Sequence, residues 1–244
     1  MMQDLPETGG RGKAEPPLVG RDEEVSGLRR TAQSVRDDGQ ARVVTLVGPN
    51  GVGKTSIIDA ALRELAADPS RNLRVYRGSA RGSSAVHAAL GSLLRSRFGL
   101  SPSATPDEVR AVVHDQVSKV LDDRKVGDVC FFLGQILDVP FPDSPLTKAL
   151  GDDPTQGRML RRAIIKSFFE SDASRGALCL VFDDLDAAGE DSIGLVSYLV
   201  EHVTGPVLIV CSMRPEMPVR YANWFTLGGA RHSRVDVGPL PPET

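Results

Sequence analysis

The sequence predicts an α/β fold, a parallel sheet with helices on both faces in a three-layer αβα sandwich. Three observations carry this. Short apolar, β-branched runs alternate with amphipathic helical stretches, which is how a sheet buried on both sides reads. The first run leads directly into a glycine-rich turn and a helix. A later run of six apolar residues ends in two adjacent acids, Asp183 and Asp184.

Residues 1–16 are rich in Gly, Pro, Glu and Lys and are expected to form a disordered leader, with the folded domain spanning 17–244. Asp22 is placed to cap a first helix, with Glu23 and Glu24 favourable against its dipole. Val25, Leu28, Ala32 and Val35 form its apolar stripe, and Asp37-Asp38-Gly39 ends it. Residues 42–47 read as a buried strand and 56–66 as a helix, with Ile57, Ile58, Ala61, Leu62 and Leu65 at helical spacing.

Between these two lies Gly48-Pro49-Asn50-Gly51-Val52-Gly53-Lys54-Thr55, which matches the G-x-x-x-x-G-K-[ST] spacing of a phosphate-binding loop. Glycines let the backbone turn through positive φ and approach a polyanion closely. The loop N–H groups and the helix N-terminus then face the phosphates. Lys54 is the candidate for the β- and γ-phosphate oxygens, and Thr55 offers a hydroxyl to Mg²⁺. The expected nucleotide-binding set is Gly48, Pro49, Asn50, Gly51, Val52, Gly53, Lys54, Thr55 and Ser56. The strand–loop–helix context is what separates this reading from a chance glycine-rich turn.

After a break at Asp68-Pro69-Ser70, residues 73–77 read as a shorter strand. From 84 to 171 the pattern is helical, with helices over 85–98, 126–137 and 155–169 and one opened by Thr105-Pro106-Asp107-Glu108, a capping box with Pro at the first position. The last of these is expected to turn Leu160, Ile164 and Phe168 inward. A block this long is too large for a simple crossover and reads as a helical insertion between strands 2 and 3. Residues 176–184 form a continuous apolar strand, 191–203 a helix, 206–213 another buried strand and 234–240 the last.

Asp183 is the candidate for the Mg²⁺ shell and Asp184 for orienting the attacking water. The plain alternative is that one or both cap the following turn. Arg214 ends the strand before it, on the side where ligands bind in open α/β sheets, and can read a γ-phosphate. Its alternative is a surface arginine before Pro215.

Composition narrows the rest. A net charge of −3 gives no electrostatic case for nucleic acid or an anionic membrane. No apolar run approaches the ~20 residues of a transmembrane helix, and Asp4 and Glu7 do not fit a signal peptide. Cys130, Cys179 and Cys211 are scattered and odd in number, and Cys179 and Cys211 sit in apolar strand-like runs, which suits buried thiols in a reducing cytoplasm. His87, His114, His202 and His232 lack metal-ligand spacing.

Leu18-Val19-Gly20-Arg21-Asp22-Glu23-Glu24 resembles the VGR-x-x-E opening of STAND-type signalling ATPases, AAA-related P-loop proteins of the additional-strand division. The P-loop, the strand ending Asp183-Asp184-Leu185, the segment Ser212-Met213-Arg214-Pro215-Glu216 and the strand Asp236-Val237-Gly238-Pro239-Leu240 follow in the family's order. The likeness covers about 18–240 and extends to modules of large bacterial regulators and kinase-linked ATPases. It implies a sheet of order 5-1-4-3-2, ATP or ADP with Mg²⁺ as ligands, Val19 and Arg21 against the adenine, and Arg214 as γ-phosphate sensor. It departs from the family after Leu185, where Asp186-Ala187 stand in place of the usual His-Trp. The family's helical lid, winged-helix and effector segments do not follow before Thr244. The resemblance therefore implies a cytoplasmic, monomeric module that hydrolyses ATP weakly and works with other protein domains. A ring-forming AAA motor and a non-hydrolysing nucleotide scaffold are the alternatives.

Overall fold

β1, Arg42–Val47, is apolar after its first residue except at Thr45, and is buried from Val43 to Val47. Its side chains alternate between two cores, as a strand covered on both faces requires. The computed structural model describes residues 19–67, 73–83, 85–150 and 153–240. The expected leader, Leu18, the break at Asp68-Pro69-Ser70 and residues 241–244 lie outside them.

α1 (Asp22–Asp38) precedes β1, and α2 (Lys54–Ala66) and β2 (Arg74–Ser79) follow it. Then come α3 (Ala88–Phe98), α4 (Pro106–Ser118), α5 (Asp123–Leu137), α6 (Pro145–Leu150) and α7 (Pro154–Ala173). β3 (Leu178–Asp183), α8 (Glu190–His202), β4 (Val207–Met213), α9 (Glu216–Arg220) and β5 (His232–Asp236) complete the order. The five strands form one parallel sheet in the order β2-β3-β4-β1-β5, which from the other edge is the 5-1-4-3-2 implied by the family resemblance.

Val44, Leu46, Cys179, Val181, Leu208 and Val210 pack against α1 and α2 on one face. Val43, Val47, Leu178, Leu180, Phe182, Val207, Ile209 and Met213 join a larger core on the other, continuous with α3, α4, α5, α7 and α8. The helical block between β2 and β3 thus shares the core of the sheet. Asp183 and Ser212 follow the alternation onto the α2 face, where the strands end.

Several local expectations are corrected. Arg21, not Asp22, is the N-cap of α1, and Asp22 joins Glu23 and Glu24 in the first turn. α2 starts at Lys54, two residues early, because Gly53 already makes the turn at φ 98°. β2 runs two residues further than expected, α3 begins three residues later, and β5 ends at Asp236. α6 was not foreseen. In α7 the buried positions are Ile165, Phe168, Phe169, Asp172 and Ala173, so Ile164 is half-buried and Leu160 lines a surface groove beside Met159. The capping box at Thr105 and Glu108 forms as expected. Cys130, Cys179 and Cys211 are free and buried, and burial pushes the Cys130 and Cys179 thiols up to about 12.

Candidate functional site

The loop after β1 is confined from the first residue. Gly48 is held to β4 by its N–H donating to the Met213 carbonyl at 3.2 Å. A Cβ at Gly48 would lie 2.3 Å from the Val237 carbonyl oxygen, so the chain leaving β5 leaves room only for glycine. The loop ends at Gly53 in the left-handed region, and α2 starts immediately after it. Lys54 is buried, and its Nζ donates to the carbonyls of Gly48 (2.7 Å) and Pro49 (2.9 Å), folding the side chain back along the loop. Burial lowers its pKa, with the charges of Asp184, Asp186 and Asp183 pulling the other way. The three carboxylates are thus close enough to act on the lysine's charge, and the ammonium is the cation that such a loop offers to phosphate.

Asp183 is buried at the end of β3. The Thr55 hydroxyl, one residue into α2, donates to its carboxylate at 3.1 Å. The Ser212 hydroxyl at the end of β4 also donates to it, and so does the Arg77 guanidinium from β2. Burial works against its ionised form, but the Ser212, Arg77 and Thr55 hydrogen bonds outweigh that and hold its carboxyl below the usual range. Asp184 has φ 50°, so its side chain leaves in a different direction from the strand's. Its N–H donates to Ser212 Oγ at 2.9 Å, and its carboxylate pairs with Arg81 at 2.9 Å. Burial, then the charge of Asp183, raises its pKa.

Arg214 follows β4, as expected, and reaches Asp186. Its N–H donates to Oδ1 at 3.1 Å and its Nε to Oδ2 at 2.5 Å. Asp186 thus occupies, with a carboxylate, the place where the resemblance led to histidine. Val19 is half exposed, whereas Arg21 is buried. The Arg21 guanidinium donates to the Val52 carbonyl of the loop at 3.1 Å and to the Gly238 carbonyl after β5 at 2.5 Å. Arg21 acts here through its side chain, tying the opening segment, the loop and the exit of β5 together. Pro49, Asn50 and Ser56 are exposed around the loop.

The fold therefore brings Lys54, Thr55, Asp183 and Asp184 to one edge, with Arg214 and Asp186 beside them. Arg77, Arg81, Ser212 and Asp186 are members of this site that the sequence reading missed. The donor set suits a Mg²⁺–triphosphate. A hydroxyl and a carboxylate 3.1 Å apart are hard oxygen ligands, and Mg²⁺ commonly takes only one or two protein oxygens beside the phosphates. Among the described residues no cluster of three or more His, Cys, Asp or Glu could hold a metal independently. Among the same residues no helix is long and apolar enough to cross a membrane.

No match is found among curated proteins. Solved structures resemble the chain in fold. Drosophila ORC bound to DNA aligns at 15% identity with a TM-score of 0.42, covering 91% of this chain and 94% of that one. Cdc6p from Pyrobaculum aerophilum aligns at 11% identity with a TM-score of 0.49, covering 92% of this chain and 47% of that one. The Aeropyrum pernix ORC1 protein in complex with DNA aligns at 15% identity with a TM-score of 0.48, covering 93% and 47%. The chain spans about half the length of the last two, and the DNA is that of the Drosophila and Aeropyrum structures. The family model described as "AAA ATPase domain" matches residues 17–210, from before Arg21 through β3 and into β4, and the chain belongs to that family.

Proposed function

We propose that the chain is a Mg²⁺-dependent ATP- and ADP-binding module that hydrolyses ATP slowly and serves as a switch in a STAND-type signalling protein. One observation carries the reading. Thr55 and Asp183 are in contact at the carboxyl ends of the strands, with Lys54 and Asp184 beside them, although Thr55 and Asp183 are 128 residues apart in sequence. Mg²⁺, entering with the nucleotide, would supply neutralisation of the phosphate charge.

The chain's own groups do the rest. The loop from Asn50 to Gly53 presents its N–H groups to the phosphates, while Gly48 and Pro49 lead into it from β1, and Ser56 sits in the first turn of α2 behind them. Lys54 exchanges the Gly48 and Pro49 carbonyls for phosphate oxygens. Thr55 and Asp183 would hold the metal shell. Asp184, whose pKa is raised, orients a water for attack. Arg214 exchanges Asp186 for the γ-phosphate, so its contacts distinguish ATP from ADP. Val19 and Arg21 border the adenine, and the ties from Arg21 to Val52 and Gly238 keep that border fixed to the loop. Other protein domains are the expected partners of such a switch. A net charge of −3 favours neither nucleic acid nor an anionic membrane.

Phosphate release from ATP, with mass by light scattering, tests this. Slow, Mg²⁺-dependent release with the same monomeric mass in ATP and ADP supports the switch. An ATP-induced ring with rapid turnover makes the chain a motor, and tight binding with no release makes it a scaffold.

A further inference from the structure

β2 is an edge strand, and its pairing with β3 sets Arg77 beside Val181 and Ser79 beside Asp183. From there the Arg77 guanidinium reaches two carboxylates. One nitrogen donates to Asp183 Oδ2, and the other to Asp59 Oδ1 at 2.5 Å. Asp59 lies one turn along α2 from Thr55, the residue whose hydroxyl donates to the same Asp183 carboxylate. Arg77 therefore connects β2, α2 and the end of β3 through a single planar fork, a geometry that lysine does not reproduce. Among the described residues it is the only ion-pair partner of Asp183. The Arg77 side chain is 35% exposed against 7% for Asp183, so the charge is delivered from the solvent side onto a buried acid. Arg81 pairs with Asp184, but at 70% exposure it is largely screened by water.

We propose that Arg77 is a positioning residue that supplies positive charge to Asp183 and thereby sets how strongly nucleotide binding depends on Mg²⁺. This rests on the reading of the site as a Mg²⁺–nucleotide site. A triphosphate at the loop brings its negative charge close to Asp183 across Thr55. With Arg77 in place, that carboxylate is already compensated when no metal accompanies the nucleotide. When the metal does accompany it, the guanidinium repels the dication and shares the carboxylate with it. Both effects narrow the gap between metal-free and metal-bound affinity. Removing Arg77 widens it from both sides. A residue that only held β2 in place would weaken both affinities alike.

The test is calorimetric titration of ATP into the full chain, in excess Mg²⁺ and in EDTA, for wild type, Arg77→Gln and Asp59→Asn. Unfolding midpoints without nucleotide monitor folding. The quantity read is the ratio of the two dissociation constants. Arg77→Gln is expected to raise this ratio about tenfold, the scale of a unit charge at several ångströms after discounting for solvent screening. Asp59→Asn loosens the same fork but leaves the guanidinium on Asp183, so the ratio stays at the wild-type value or falls. An unchanged ratio in Arg77→Gln, an equal rise in Asp59→Asn, or loss of Arg77→Gln binding in both media overturns the proposal. Failure of the wild-type chain to bind ATP in either medium overturns the reading of the site itself, and this assignment with it.

Discussion

Replacing Asp172 with asparagine tests how the helical block is fastened to the sheet that carries the site. Asp172 sits in the last turns of α7 with its side chain fully buried. Its carboxylate accepts from Arg74 Nη1 at 2.7 Å, from Arg97 Nε at 2.5 Å and from Arg97 Nη2 at 3.1 Å. Arg97 has a side chain only 8% exposed, and its guanidinium also lies over the rings of Tyr76, Phe98 and Phe168. Asparagine keeps the volume but offers one carbonyl acceptor, and its amide faces guanidinium donors. Arg97 is then left buried without its counter-ion. Breaking a buried pair by removing one partner costs about 3–5 kcal/mol. For a domain of this size each kcal/mol lowers the melting midpoint by about 2–4 °C, so the expected fall is roughly 6–20 °C. Thermal unfolding followed by circular dichroism reads it, with a urea titration checking that the m-value is unchanged. Arg74→Gln should cost less, because Arg74 is partly in water. A fall of less than about 3 °C for Asp172→Asn would refute the reasoning, since it would mean the guanidinium groups find other acceptors without loss. The outcome bears on function as well. Arg74 and Arg77 lie on the same strand, and slackening β2 at one end displaces the fork at the other.

Two further outcomes are expected. Asp184→Asn should bind Mg²⁺–ATP with near wild-type affinity but release phosphate about 10²-fold more slowly, as loss of a water-orienting base does, and an unchanged rate would remove Asp184 from that role. His232 accepts from the Thr45 hydroxyl through Nε2 (2.8 Å) and donates from Nδ1 to the Leu227 carbonyl (3.0 Å), while Thr45 accepts from Trp224 Nε1 at 3.1 Å. Burial, with the nearby Arg231 charge, lowers its pKa below the unfolded value. The unfolded chain therefore takes up this proton first as pH falls below about 6.5, and stability is lost in that window and kept above it. Melting midpoints between about pH 7 and pH 5 should fall less steeply in His232→Gln than in wild type, and parallel profiles would contradict the assignment.

The parts of this molecule that were legible in sequence are the ones written locally. β1, the glycine loop and the start of α2 are contiguous, and each needs a particular residue type. β3 and β4 are uninterrupted apolar runs, which only strands buried on both faces tolerate. Asp183 and Asp184 stand out because charge follows six apolar residues. Arg77, Arg81, Ser212 and Asp186 were not legible, because their partners depend on sheet order and register. Only the pairing of β2 with β3 puts Arg77 within reach of Asp183. The face of α7 was only partly legible, for another reason. Its buried stripe includes Asp172, and a count of apolar positions cannot include a carboxylate that two arginines bring into the core. Ile165 and Phe169 join Phe168 at the centre of the inward face, Ile164 packs at its margin, and Leu160 lies beside a surface groove. The guanidinium contacts of Arg21 were not legible either, because they require knowing that Gly238 returns beside the loop.

Calorimetric titration of ATP with Mg²⁺ into the wild-type chain and Lys54→Ala tests the central claim most directly. Lys54 is buried and its ammonium is already aimed along the loop, 2.7 Å from the Gly48 carbonyl. Hydrogen bonds to a charged group contribute about 1.5–3 kcal/mol each, so losing two of them to phosphate should weaken binding at least about a hundredfold. The account predicts one nucleotide per chain for wild type and no measurable heat for Lys54→Ala. Equal affinity in the two proteins would contradict it, because the loop from Gly48 to Thr55 would then not be where the phosphates bind.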